Sequence, residues 1–189
     1  MGGRGASSTS KGNRSSAAPM TPEQAMAATN PNYVLGPEWQ NNCQRCVYAY
    51  EMNRRGVLCE AKPRLMDGGR TSRNDEVASN WRNVMEGQTW DQVGSRSQGK
   101  TVSNLDSAMA SYGEGSRAVV YVTWKGGRSA HVFNAERVGN HTEYFDAQTG
   151  RRVDINEYIG QSMPTRTMVS RIDNLVPNPR YIEGCITRR

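Results

Sequence analysis

Cysteine and histidine are scarce in this sequence. Its 189 residues include four cysteines, Cys43, Cys46, Cys59 and Cys185, and two histidines, His131 and His141. A secreted disulfide scaffold of this length would carry more cysteine, so a reducing compartment is expected. One C-x-x-C pair occurs, with no second pair and no H-x-x-H. A zinc knuckle would have to be completed from Cys59, Cys185, His131 or His141. A thioredoxin-like couple needs a strand feeding directly into C-x-x-C, and the preceding GPEWQNN reads as a turn. Long apolar runs are also missing. None could span a bilayer, and the N-terminus has no apolar signal-peptide segment. The start MGGRGA has Ala6 where a myristoylation signal needs Ser or Thr. The first twenty residues contain no acid, and their Arg4, Lys11 and Arg14 supply half of the net charge of +6. The remaining positive charge is dispersed, which describes a solvated basic surface rather than a specific nucleic-acid site.

What is present divides a tail from one domain. Residues 1–19 are Gly, Ser and Ala with scattered basic residues, and too few apolar groups to offset chain entropy. They read as a flexible tail ending in a short helix over TPEQAMAATN. Thr21 and Gln24 form a capping box there, with Pro22 in the first turn. The domain itself is expected over 33–189. NNCQRCVYAYEMNRRG reads as a helix, with Cys43, Cys46, Val47 and Tyr50 on one stripe. Asn42 is its expected N-cap and Gly56 its left-handed terminator. An extended segment over 57–61, a loop over 62–74 and helices over 76–85 and 103–113 follow. The period then changes to two, giving strands over 117–124, 129–138 and 142–148. A helix over 154–160 and a strand over 165–172 complete the pattern. Helices followed by an antiparallel sheet make an α+β class.

Register brings the chemistry together. If Gly139-Asn140 is a two-residue hairpin loop, Val138 faces His141. Counting back then sets His131 opposite Gln148 and Phe133 opposite Asp146, all on one face. His131 and Asp146 become diagonal neighbours. A carboxylate beside imidazole fixes its tautomer and supports its protonated form. Cys43, in a helical first turn, sits where free N–H groups and the helix dipole favour a thiolate. A Cys–His–Asp set on these elements suits thiol hydrolase chemistry.

NCQRCVYAYEMNRRGVLCEAKP, followed downstream by HVFNAERVGNHTEYFDAQTGRRVD, resembles the papain-fold toxin family, which includes protein glutamine deamidases. The resemblance covers nearly everything from about residue 33 onward. It implies a papain-like cysteine hydrolase fold, Cys43 as nucleophile, His131 as base and Asp146 as the residue that orients it. MGGRGASS also resembles the start of proteins encoded in prophages of Gram-positive bacteria. That implies a cytoplasmic protein, or one delivered with a phage particle or secretion system. A second register remains open. QNNCQRC is similar to the Q-x-x-C-x-x-C of papain-type proteases, which would select Cys46 and Gln40. Cys43 is preferred because a thiol one turn deeper loses contact with the free N–H groups. Gln148 either positions a substrate amide or is a strand-end amide.

The expected activity is hydrolysis of a glutamine side chain on a protein substrate by a monomer. No cofactor, metal, nucleic acid or membrane is expected to take part. A papain-like protease or transglutaminase would use the same triad. A catalytically idle phage-associated binding module would keep the fold alone.

Overall fold

The structure is a computed structural model that describes residues 17–189. The expected flexible tail lies, up to residue 16, outside the described residues. Helix α1 (Pro22–Thr29) carries the expected capping box between Thr21 and Gln24. It is not an appendage of the domain, because Ala25, Met26 and Thr29 form a buried face, and Ala25 and Met26 join the core built around the next long helix. A single turn, α2 (Pro37–Gln40), leads into α3 (Cys43–Arg54).

Helix α3 is the axis of the molecule. Ten of its twelve residues are buried, so the single stripe expected from periodicity understates its packing. Its polar side chains are buried with partners. Arg45 donates to Asp75 at 2.8 Å, Tyr50 to Glu136 at 2.7 Å, and Asn53 to the Cys59 carbonyl at 2.9 Å. A charged residue read as solvent-facing can instead be a paired core residue. The helix stops where expected. Gly56 has φ +82, Val57 N–H donates to the Met52 carbonyl and Gly56 N–H to the Asn53 carbonyl, which is a Schellman closure. A Cβ at Gly56 would lie 2.0 Å from the Ala17 carbonyl oxygen.

Beyond α3 come β1 (Cys59–Ala61), β2 (Met66–Asp67) and β3 (Arg70–Thr71). The last two form a small hairpin in the segment expected to be loop. Helix α4 (Glu76–Asn80) is capped by Asp75 as expected. It does not run on to residue 85, because the chain tightens into a 3-10 turn at Trp81–Asn83. Strand β4 (Asp91–Gln92) precedes α5 (Gln98–Tyr112). This helix starts five residues earlier than its apolar pattern suggests, because Ser97 supplies the cap, accepting from Lys100 N–H.

The sheet is assembled from β5 (Arg117–Thr123), β6 (Ala130–Val138), β7 (His141–Asp146), β8 (Arg151–Arg152) and β9 (Met168–Arg171). Helix α6 (Ile155–Gln161) lies between the last two, and α7 (Pro179–Cys185) and β10 (Ile186–Arg188) end the chain. Six strands pair antiparallel in the order β4-β9-β5-β6-β7-β8, and β10 pairs with β1. Alternation along the strands divides the core. Val119, Val132 and Phe145 pack toward α3. Val120, Phe133 and Tyr144 pack with Leu105 and Met109 of α5 and Ile159 of α6. Among the described residues no helix is long and apolar enough to cross a membrane.

Candidate active site

The β6–β7 hairpin has the register expected from its turn. Val138 pairs with His141 and Asn134 with Phe145. Gly139, with φ +58, opens the two-residue turn in the conformation glycine allows most readily. His131 near the start of β6 and Asp146 at the end of β7 therefore meet, with His131 Nε2 3.1 Å from Asp146 Oδ2.

The carboxylate is held from three sides. Tyr158 of α6 donates its hydroxyl to Oδ2 at 2.9 Å, and the Gln148 backbone N–H donates to Oδ1 at 3.0 Å. Burial opposes the charge on Asp146, but the hydrogen bond and charge of His131, with the Tyr158 bond, keep its carboxyl below the usual range. Trp124 stacks on the His131 ring with centroids 5.8 Å apart, and Tyr158 sets its ring edge-on to Trp124 at 5.6 Å.

Cys43 completes the line from the α3 terminus. Burial pushes its thiol up, but hydrogen bonding and charge from His131, the Val132 backbone and the Arg64 charge bring it below the ordinary thiol value. Arg64 is fixed by bonds to the Asn41 carbonyl and Gln44 Oε1, both 2.8 Å. Burial likewise opposes the cation on His131, yet Asp146 and Cys43 push its pKa up to about 10. The two directions have a common cause, since each group lies where it favours the charged form of the other. Since Nε2 serves Asp146, Nδ1 is the nitrogen left for the thiol.

The neighbouring cysteine has the opposite environment. Cys46 is 1 % exposed against 9 % for Cys43. Its thiol donates to Asn42 Oδ1 at 3.2 Å, and burial raises its pKa well above the ordinary value. Asn42 does not cap α3 with its side chain. That side chain accepts from Cys46, exchanges bonds with Asn30 and donates to the Lys62 carbonyl. The amides of Cys43 and Gln44 consequently have no acceptor among the described residues.

Gln148 lies beside this group, but its side-chain amide donates to the Gln40 carbonyl. Its own carbonyl accepts from Asn30 at 2.9 Å. The Gln40 side chain points away and donates to the Tyr33 carbonyl at 3.2 Å. His141 is exposed at the turn and meets Glu143 at 3.3 Å. Among the described residues no group of three His, Cys, Asp or Glu side chains is arranged to hold a metal ion.

Four residues of the site were not visible in sequence: Asn30, Arg64, Trp124 and Tyr158. Tyr158 lies on an expected helix, but no local signal shows where that helix docks. Trp124 reads only as a strand-end aromatic.

Reactivity offers a direct check. Iodoacetamide near neutral pH is expected to label Cys43 first, because thiolate fraction controls the rate. As pH falls, Cys43 labelling should persist below the range in which an ordinary thiol stops reacting. Cys59 and Cys185, each pushed by burial to about 12, should react only in strong alkali. Peptide mapping would reverse the assignment of the thiolate if Cys46 carried the first label.

A long helix presenting a thiol at its N-terminus, packed on an antiparallel sheet that carries imidazole and carboxylate, defines an α+β protein of the papain fold. The chain belongs to the family described as papain fold toxin 1, glutamine deamidase, whose model matches residues 41–151. No curated protein matches the chain. The matched span holds Cys43, His131, Asp146 and Gln148, and leaves Asn30 and Tyr158 outside it.

Proposed function

We propose that this protein deamidates a glutamine side chain on a partner protein through Cys43, His131 and Asp146. The observation that carries the reading is the continuous line from the Cys43 thiol through His131 to Asp146. The Cys43 thiolate attacks the glutamine Cδ. The oxyanion forms beside the unpartnered first-turn amides of α3, where N–H donors and the helix dipole favour negative charge. His131 then gives its proton to the departing nitrogen, the C–N bond breaks, and ammonia leaves a thioester on Cys43. Water enters, His131 takes its proton, and attack on the thioester releases glutamate and restores the thiolate. Asp146 supports the imidazolium, while Tyr158 and the Gln148 backbone N–H hold Asp146. Gln148 itself is assigned to positioning, since its side chain ties the β7 end to the segment before Cys43.

The test is incubation of candidate partner proteins with the enzyme, followed by intact mass and ammonia assay. Deamidation leaves the chain whole and shifts its mass by the difference between an amide and an acid. Chain cleavage would establish a protease instead, and attachment of an added amine would establish a transglutaminase.

Asp146→Asn is expected to lower turnover by at least about a hundredfold, as for a disrupted general acid–base group. Tyr158→Phe removes one donor to the same carboxylate, and a charge-assisted bond of about 1.5 kcal/mol corresponds to roughly tenfold. Turnover and melting curves of both variants check this. Full activity in Asp146→Asn would remove the carboxylate from the mechanism. His141→Ala should leave turnover unchanged, and His131→Ala should abolish it.

A further inference from the structure

The sheet carries a second feature next to the thiol. A groove of about 310 Å3 is lined by Arg82, Gln92, Tyr121, Thr123, Thr165 and Arg166 among others. Register fixes its place. Tyr121 pairs with Val132 across the β5–β6 ladder, and Val132 is the residue whose backbone contacts the Cys43 thiol. Paired strands are about 4.8 Å apart, so the near edge of the groove lies one strand from the strand that contacts Cys43, and its far edge runs outward across β9 to Gln92 of β4. Thr123 hydrogen-bonds the Tyr121 hydroxyl at 3.4 Å, so both side chains project from the α3 face of the sheet.

The unmet polarity of the groove is of one sign. Arg82 stands over the Trp81, Trp90 and Tyr121 rings at 5.3, 5.6 and 5.5 Å from their centroids. Neither Arg82 nor Arg166 has a carboxylate partner among the described residues, although Arg45, Arg54, Arg55 and Arg117 all do. No acidic side chain lines the groove. Trp90, under Arg82, has a buried indole N–H without an acceptor. The turn between β5 and β6 adds exposed Lys125 and Arg128, just after the Trp124 that stacks on His131. A guanidinium already held on aromatic faces loses less freedom on pairing than a free one.

We infer that this groove receives an acidic stretch of the protein substrate, so that the target glutamine is one flanked by Asp or Glu. The inference rests on the deamidase reading for the role of Cys43, but the binding it describes does not require turnover. Carboxylates along the groove pair with Arg82 and Arg166 and orient the neighbouring glutamine toward the thiol. A nucleic-acid backbone has the same charge but offers no carboxamide to the nucleophile.

Two fluorescein-labelled peptides with one central glutamine, flanked by glutamates or by serines, test it with the full chain. Anisotropy should give at least about tenfold tighter binding of the glutamate peptide at low salt, weakening as salt rises. The double variant Arg82→Gln, Arg166→Gln should lose that preference, and Arg166→Glu alone should reduce it. Arg188→Gln with Arg189→Gln, at the far end of α3, removes the same charge and should retain it. Equal binding of the two peptides, or a preference unchanged in the groove variant, overturns the inference. So does tighter, groove-dependent binding of a thymidine oligonucleotide that displaces the glutamate peptide. Groove-dependent binding with no ammonia from either peptide supports the groove and refutes the deamidase reading. Ammonia released from both at equal kcat/KM supports that reading and refutes the groove.

Discussion

Cys43→Ala is expected to lower ammonia release by roughly 10^4-fold or more, the scale of loss when an attacking nucleophile is removed. Cys46→Ala is expected to retain most of it. The contrast follows from two thiols one helical turn apart. Cys43 faces His131, whose hydrogen bond and charge lower its pKa against the cost of burial. Cys46 donates a hydrogen bond to Asn42 Oδ1 and lies where burial disfavours the charge. Cys46→Ala removes one buried sulfur and one hydrogen bond, so its effect should appear mainly in melting temperature. Turnover of both variants decides between the two registers that QNNCQRC permits. Retained activity in Cys43→Ala, with loss in Cys46→Ala, would transfer the chemistry to the second cysteine.

Glu51→Ala should destabilise the fold by about 3 kcal/mol, the lower end for removing one member of a buried charge cluster. Glu51 lies fully buried near the end of α3. It accepts from Arg55 at 2.6 Å and from Arg117 at 2.7 and 2.8 Å. Arg117 begins β5, so this carboxylate joins the long helix to the sheet. Its loss would remove the carboxylate that both guanidiniums pair with, leaving Arg117 only the charges of Glu136 and Asp173. The Arg55 and Arg117 side chains are 22 % and 17 % exposed, and partial access to water is why the lower figure applies. For a chain of this size that corresponds to a melting temperature lower by roughly 10 °C. Arg55→Ala should cost less, since Arg117 remains to neutralise Glu51. A melting temperature within a degree or two of the parent would show that the cluster contributes little.

Short-range signals in the sequence determine much of the site. The Gly139-Asn140 turn sets a register that places His131 against Asp146, and counting along a hairpin is enough to find it. The position of Cys43 after Asn42 is equally local, as are the Thr21 capping box and the Gly56 stop. The misread features depend on contacts distant in sequence. Arg45, Glu51 and Asn53 look like the wet side of α3 until Asp75, Arg117 and Cys59 are brought against them. Asn42 reads as a cap because its competing partners, Asn30 and Lys62, lie far from it in the chain. Tyr158 gains its meaning only when α6 docks at the end of β7.

The Asn30 side chain reaches the Gln148 carbonyl across 118 residues of sequence. Between them lie the nucleophile helix and the first seven strands. Such a contact requires closure of a very long loop, and nonlocal closures of this kind slow folding. A partly folded chain would therefore carry Cys43 as an ordinary thiol, with neither imidazole nor carboxylate beside it. The reactive site is thus a property of the folded chain, and its chemistry should be lost whenever these long-range contacts are.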